Sequence, residues 1–565
     1  MPEWSPGPNS LVLYKARPAR VKQAGKKLEI ELEGGEMVSV RPKDVVLLHP
    51  GPIDSMQSFL GAYALETLPG EVVTAWELLA GETTTLPELA ELAYGEYTPG
   101  SAWAAYQVVE DGLYFRGSPE EVIACTPDEV IQEQSTRMAR AAEEQERSAF
   151  LERVRASRIV PDDRQFLRDV EDLALARMKK SRVLRDLGRA ESAEIAHGLL
   201  LELGYWDYTV DPYPQRLGLP TSPPSVPLPS FPEEDRMDLT HLTALAIDDE
   251  GNQDPDDALS LDGERLWVHV ADVAALVPPD SEADLEARAR GATLYLPEGA
   301  VPMLPWEATQ RLGLGLEEIS PALSFGLDLG TAGQIEDVEI VPSWIRVTRL
   351  TYEEAESRLE MEPLRSLHRL AVASRIRREA RGAIQIDLPE VRIRVEGDEI
   401  SIHPIPPLRS RELVTEAMLM VGEATGRFAL ERDIPLPFTT QDPPETDERP
   451  EDLAGMYGLR RSLKPSQQSG VPGPHAGLGL ELYVQATSPL RRYLDLVVHQ
   501  QIRAHLVGAG LLDAQEVLER IGATSAVAGT VSQAERLARR HWTLVYLMQR
   551  PGWRGEGVLV DKRRR

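Results

Sequence analysis

Between Ala246 and Leu261 the chain reads A-I-D-D-E-G-N-Q-D-P-D-D-A-L-S-L, which puts Asp248, Asp249, Glu250, Asp254, Asp256 and Asp257 between apolar runs at 242–247 and 266–270. Carboxylates a few ångström apart raise each other's pKa unless something neutralises them. Two readings are open: a solvated acidic turn between two strands, or a cation site in which a few carboxylates hold Mg²⁺ together with waters and substrate phosphates. A calcium loop fits less well, because the glycine required at the sixth position counted from Asp248 is Gln253. Strand-like character ends on Asp248 and resumes directly after the last acid, Asp257, so the acids stand at the mouth of a sheet, and rigid placement favours a site. Asp256 and Asp257 would face opposite sides if extended, which suits two metals, or one metal plus a base.

A chain of 565 residues predicts several domains. With 27% charged and 42% apolar residues it has the composition of a soluble globular protein. No apolar run approaches the ~20 residues of a membrane span, and residues 1–20 lack the apolar core of a signal peptide, so the expectation is a cytoplasmic protein with no membrane partner. The single cysteine, Cys125, excludes an internal disulfide or a cysteine-based metal site and reads as a small buried hydrophobe. A net charge of −30 argues on its face against nucleic acid. The basic residues nevertheless cluster, at 177–185, 491–492, 536–540 and 563–565. A concave site can be positive inside an acidic molecule.

Taken in order, residues 1–55 alternate apolar and polar around Gly34 and Gly35 and predict a small β-barrel. Residues 56–125 predict a winged helix: helices at 73–80, at 85–94 with Thr85 as N-cap, and at 101–109, then a hairpin after Asp111-Gly112. Nucleic-acid contact and protein packing are both open for it, since the third helix carries no basic residue. Residues 126–235 read as charged helices closing at Gly204 and then a proline-rich extended linker over 212–232. The domain at 236–550 mixes strands (344–350, 391–395, 400–405) with helices (411–430, 490–506), and Ser532 with Glu535 predicts a capping box opening a last helix to about 549. An alternating run after Trp553 makes 551–565 read as the start of a truncated domain. The fold class expected is therefore α+β multidomain, with a mixed α/β domain preceded by a small β-barrel and a winged helix.

A second motif, T-S-P-L-R-R at 487–492, reads as a helix start with Ser488 as N-cap and Pro489 in the first turn. Free N–H groups and the helix dipole would make it an anion site, and Arg491 adds a planar fork suited to phosphate. An ordinary capped helix is the alternative. Beside an acidic metal cluster, however, arginine plus metal is how phosphoryl transfer is stabilised.

With both motifs in hand the chain resembles the ribonuclease II and ribonuclease R family of 3′-to-5′ exoribonucleases. The resemblance covers roughly 240–550 and rests on ordered motifs, among them D-P-D-D-A at 254–258, W-V-H-V-A-D-V at 267–273, Y-L-P-E-G-A-V-P-M-L-P at 295–305, L-T-Y-E-E-A at 350–355, R-G-A-I at 381–384 and A-T-S-P-L-R-R-Y-L-D-L-V-V-H at 486–499. It implies hydrolysis of single-stranded RNA from the 3′ end to nucleoside 5′-monophosphates, with Mg²⁺ or alternatively Mn²⁺. The family's metal-binding aspartates match Asp248, Asp254, Asp256 and Asp257, with Asp254, Asp256 and Arg491 in catalytic roles. Its RNA-contacting residues match Tyr295, Tyr352, Glu416, Arg491 and Arg492. Stacking tyrosines suit a sequence-tolerant nuclease, because a base–aromatic stack is worth ~1–3 kcal/mol and reads no sequence.

Where members of the family have two glutamates before A-M, this chain has Thr415-Glu416, and Ile386 stands where some carry a clamping aromatic. No aromatic-glycine RNA-binding strand is found in 1–230, so the barrel and winged helix look like a replacement for upstream cold-shock modules. A monomer is expected, trimming 3′ overhangs close to an adjacent duplex. Two rival readings are an inactive RNA-binding or scaffold protein of the same fold and a Mg²⁺-dependent phosphatase for small substrates.

Overall fold

The computed structural model describes residues 6–63, 70–445 and 450–561, and the basic tail at 563–565 lies outside them. The chain divides into two compact units, 1–156 and 157–565.

In the first unit, β1 (Leu11–Tyr14), β2 (Arg17–Gln23), β3 (Leu28–Leu32), β4 (Met37–Val40) and β5 (Val46–His49) form an antiparallel sheet in the order β4-β3-β2-β1-β5. Alternation buries Leu28, Ile30 and Leu32 on one face. Next come α1 (Met56–Tyr63), α2 (Val72–Leu79), β6 (Thr83–Thr84), α3 (Leu86–Tyr94), α4 (Pro99–Asp111), β7 (Phe115–Gly117) and β8 (Val122–Ala124), so a helix unforeseen in the sequence, α1, precedes the three expected ones. Thr85 caps α3 as predicted: it accepts from the Glu88 N–H, and Glu88 accepts from the Thr85 N–H. The unit ends with α5 (Pro127–Arg155). Arg116, the sole Lys or Arg between 56 and 125, is paired with Glu129 at 2.7 Å.

The second unit opens with α6 (Arg164–Ala174), α7 (Arg182–Asp186), α8 (Ala193–Glu202) and α9 (Tyr213–Arg216). The proline-rich segment was expected to be a helix-free linker. It contains the turn of helix α9, and beyond it Val226, Leu228 and Phe231 pack on the core of this unit. Arg236 then ends the strap with its side chain buried, bonded at 2.5 Å to both Glu234 and Asp272, while Arg503 reaches the same two acids. The segment is thus pinned along its length.

The central sheet is built from β9 (Met237–Asp238), β10 (Ala244–Asp248), β11 (Asp257–Asp262) and β12 (Arg265–Ala271). After α10 (Glu282–Arg290), the hairpin β13 (Leu294–Leu296) and β14 (Gly299–Val301), and α11 (Trp306–Leu312), it is completed by β15 (Ser320–Leu329), β16 (Ile335–Ile345) and β17 (Val347–Thr351). The order is β17-β10-β11-β12-β15-β16-β9, with the outer pairs β10/β17 and β9/β16 parallel and the inner pairs antiparallel. Period-2 alternation sorts the core: Leu245, Ile247, Val268 and Val270 face one apolar cluster, while Ala244, Ala246, Trp267 and Ala271 face another.

The first cluster is covered by α12 (Tyr352–Ser357), α13 (Leu364–Ala380) and α14 (Arg409–Leu430), between which lies the hairpin β18 (Val391–Glu396) and β19 (Glu399–Pro404). After β20 (Phe438–Thr440), α15 (Leu453–Ser462) and β21 (Gln467–Ser469) come α16 (Tyr493–Leu506) and α17 (Ala514–Met548). Every residue of α16 from Tyr493 to Arg503 is buried, and it serves both clusters: Val498 and Ile502 in one, Leu494 and Val497 in the other.

Three expectations are corrected here. The helix expected from 490 begins at Tyr493, because Ser488 to Arg491 is a tight turn with Arg491 N–H and Arg492 N–H both donating to the Ser488 carbonyl. Ser532 and Glu535 do not open a helix; α17 is continuous from Ala514 and capped reciprocally by Asp513 and Glu516. The alternating run after Trp553 forms no strand among the described residues, since alternation makes a strand only where a partner edge exists.

One close approach decides how the chain reaches the 487–491 turn. A Cβ at Gly422 of α14 would lie 2.3 Å from the Tyr483 ring and 2.5 Å from the Val484 carbonyl oxygen. Gly422→Ala should therefore push that segment outward, costing about 1–3 kcal/mol as an overpacking change. A clear fall in the thermal transition of the purified protein is expected, and an unchanged transition would show that the segment yields freely.

Candidate active site

The acids are brought together by strand register. Asp248 is the last residue of β10 and Asp257 the first of β11, with Asp254 and Asp256 in the loop between them. Because β10 and β17 run parallel, Asp248 pairs with Thr351, and Tyr352 follows at once as the first residue of α12. The site thus lies at the carboxyl ends of two parallel strands, where open sheets present side chains to ligands. Asp248, Asp254, Asp256, Asp257, Tyr295, Tyr352 and Arg491 line one cavity of about 300 Å³. Asp256 and Asp257 open onto the same cavity, not onto opposite sides, because Asp256 lies in the loop before the strand begins.

Asp256 is 3% exposed. One oxygen accepts from the Leu490 N–H at 2.9 Å and the other from Arg491 Nε at 3.1 Å. The turn that presents these donors is itself held from α16: Asp495, fully buried, accepts from the Ser488 N–H at 2.9 Å and pairs with Arg492 at 2.9 and 2.6 Å. It is also tied to the residues before β13, with the Thr293 N–H donating to the Arg491 carbonyl. So the anion-binding donors come from a braced turn ahead of α16, and Arg492, expected to touch RNA, is a brace of that turn.

Burial pushes all four carboxyls up. Asp256 is raised well above the usual carboxylate range by burial, against the pull of Arg491 and the Leu490 N–H. Asp257 is pushed up to about 7 by burial and then by Asp248. Asp248 and Asp254 are raised by burial too, Asp254 being opposed first by Tyr295, whose hydroxyl donates to it at 2.5 Å. Asp249 differs: burial pushes it up, but Arg411 and Arg392, one on each oxygen, hold it below the usual range. The four carboxylates share their cavity with the guanidinium groups of Arg491 and Arg394.

That donor set fits a hard, oxygen-liking divalent cation. Among the described residues no group of three acids, histidines or cysteines is placed to hold a metal ion as it stands. Asp248, Asp254, Asp256 and Asp257 would hold it.

Of the tyrosines, Tyr295 is 39% exposed on the β13–β14 hairpin, and its backbone N–H donates to Glu535 of α17 at 2.9 Å. Tyr352 lies with the Arg411 guanidinium 4.0 Å from its ring centroid. Glu416 is not at the site. It is 4% exposed within α14, bonded through both oxygens to Arg378 and lining neither this cavity nor the larger one beside it. The expectation that it touches ribose or base is corrected, because a buried guanidinium claims it.

The larger cavity, about 930 Å³, shares Gly251, Asn252, Asp254, Tyr295 and Arg394 with the first; its walls carry Arg392, Arg460, Arg536 and Arg539 together with Glu298, Glu396 and Glu535. Arg460 and Arg536 form no ion pair among the described residues. The basic run near 536 was visible in the sequence; Arg392 and Arg394 were not, since they are spaced by the strand period on β18 and meet the acidic loop only through the fold.

Comparison with known proteins gives the family. The RNB domain family matches residues 236–508, and a double HTH domain matches 130–212, the stretch read above only as charged helices and linker. An uncharacterized ribonuclease of Synechocystis is 35% identical over 576 residues, covering 93% of this chain and 86% of that protein. The chloroplastic/mitochondrial ribonuclease II of Arabidopsis thaliana is 28% identical, covering 91% and 73%. In fold, an active-site mutant of the Dss1 exoribonuclease of Candida glabrata superposes with a TM-score of 0.63 at 18% identity, over 97% of this chain and 90% of that one. The chain belongs to the RNB family of ribonucleases and is an exoribonuclease of that family.

The Glu416 assignment is open to measurement. Glu416→Ala leaves the Arg378 guanidinium buried with the Leu478 carbonyl as its remaining partner, and removing one member of a buried pair costs about 3–5 kcal/mol. The variant should melt well below the parent, and Glu416→Leu with Arg378→Met should recover much of the loss. A parent-like melting point with weakened RNA binding would restore Glu416 to the site.

Proposed function

We propose that this protein hydrolyses single-stranded RNA processively from the 3′ end, releasing nucleoside 5′-monophosphates with Mg²⁺, or Mn²⁺ in its place. The observation that carries the reading is the junction at Tyr295 and Asp254, where a small carboxylate cavity opens onto an arginine-walled groove. A groove of that kind tracks a phosphate backbone while an aromatic at its end stacks a base. Tyr295 would serve as that platform and Tyr352 would contact the ribose at the scissile nucleotide, where a hydroxyl can tell RNA from DNA.

In the reaction the water oxygen bonds to phosphorus and the bond to the 3′ oxygen of the preceding nucleotide breaks, so the phosphate leaves on the released nucleotide. Asp248, Asp254, Asp256 and Asp257 would hold a divalent cation, which would supply polarisation of the phosphate and a more acidic water. Arg491, aimed by Asp256 Oδ2, meets the charge that builds on the phosphoryl oxygens. Asp256 Oδ1, by taking the Leu490 N–H, keeps the turn that carries Arg491 at the cavity wall. The protein acts as a monomer in the cytoplasm on this reading, and it works close to a duplex bordering the single strand.

End-labelled single-stranded RNA with Mg²⁺ tests the proposal: a ladder shortening from the 3′ end with mononucleotide product is expected, and binding without product would leave the inactive scaffold reading. Asp256→Asn should abolish cleavage with RNA binding retained, because the amide keeps the shape and removes the charge. Arg491→Lys should slow turnover by at least about 10²-fold, the scale of losing one preorganised donor. Near-normal turnover in that variant would take Arg491 out of the mechanism.

A further inference from the structure

We infer that Arg411 is a positioning residue that fixes the Tyr352 ring for ribose recognition, and that Asp249 holds Arg411 in that pose. The inference rests on the proposed contact of Tyr352 with the ribose at the scissile nucleotide.

Tyr352 opens α12 directly after a strand residue paired with Asp248, so its backbone is fixed at the edge of the carboxylate cavity. Its ring is another matter, because two side-chain torsions place the hydroxyl. The Arg411 guanidinium covers one face of that ring at 4.0 Å from the centroid. Arg411 cannot drift, since it is paired with Asp249, whose second oxygen takes Arg392 from the β18–β19 hairpin. The neighbouring residue ties the same two helices together: Ser410 Oγ donates to the Tyr352 carbonyl at 2.8 Å, and the Ser410 N–H donates to Glu356 at 2.8 Å.

The contacts form a line from the hairpin through Asp249 and Arg411 to the ring. Asp249 follows Asp248 in the chain, yet both its oxygens are taken by arginines. It acts at the site by holding a cation against an aromatic face, and the energy of that contact grows where water is excluded. A ribose hydroxyl is recognised by a directed hydrogen bond that weakens steeply as its angle falls. Freedom of the ring should therefore reduce discrimination before it reduces binding of the strand.

The measurement is the ratio of kcat/KM for an all-ribose oligonucleotide to that for the same oligonucleotide with a 2′-deoxy sugar at the scissile nucleotide. The unmodified protein should show a large ratio, and Tyr352→Phe should bring it close to unity. Arg411→Ala should lower it by about tenfold, the scale of a desolvated cation–π contact. Asp249→Asn should shift it in the same direction, and Arg411→Lys should recover part of it, since an ammonium can cover the ring without making the fork. If Arg411→Ala slows both substrates equally while Tyr352→Phe lowers the ratio, Arg411 merely supports the fold and the inference fails. If Tyr352→Phe leaves the ratio untouched, the ribose role of Tyr352 fails, and the inference built on it falls with it.

Discussion

The site depends on one buried carboxylate. Asp256 joins the acidic loop to a turn more than two hundred residues further along the chain, through one backbone N–H and one guanidinium nitrogen. A buried carboxylate with no partner would cost several kcal/mol, and two donors, one of them charged, offset much of that. They do not offset all of it, which is why Asp256 still binds a proton more readily than an exposed aspartate. The residual tension is shared: burial pushes Asp248, Asp254 and Asp257 the same way, and the neighbouring arginines do not cancel it. A cation arriving with the substrate phosphate is what such a constellation is short of. Perturbed carboxyls gathered in a cleft are the common mark of a working site.

The scaffold explains why the carboxylates can be held so close. Each belongs to a strand end or to a loop stretched between strand ends, and the strands are locked by side chains alternating into two separate cores. The turn carrying Arg491 leans on α16, a helix with no exposed face over most of its length. Its brace, Asp495, is as deeply buried as anything in the protein. Precision at the phosphate-binding donors comes from burial behind them, as rigid support of catalytic groups requires.

Much of this was legible in the sequence, for particular reasons. The strands flanking the acids showed as apolar runs at 242–247 and 266–270, and the carboxylates stood in one short run. Thr85 was legible as the N-cap of α3, and the structure adds Glu88 as its reciprocal partner. The same spacing misled at Ser532 and Glu535, where the helix had already begun and Glu535 was needed instead by the Tyr295 N–H. Ser488-Pro489 has the look of a helix start, but the preference of Asp495 for the Ser488 N–H makes a turn and delays the helix to Tyr493. Glu416 and Arg411 were out of reach of pattern reading altogether: the partner that removes Glu416 from the site is 38 residues away and the acid that brings Arg411 to it is 162 away. Local patterns report elements and caps. They do not report which charges the fold will pair.

The charge of the whole chain now reads differently. A net −30 repels a polyanion at long range, yet salt screens such repulsion beyond roughly 8–10 Å, whereas arginines lining a groove act at contact distance. Such attraction is offered in the cleft by Arg392, Arg394, Arg460, Arg536 and Arg539, beside Glu298, Glu396 and Glu535, and on the exposed basic run that includes Lys179 and Lys180. The winged-helix stretch offers no rival, since its single basic residue is spent on Glu129. A strand that threads the groove gains the arginines and reaches the carboxylates; nucleic acid lying on the outer surface meets mostly its own sign of charge. The groove leads to the carboxylates because Asp254, Tyr295 and Arg394 line both cavities, and guidance of that kind needs no base to be read.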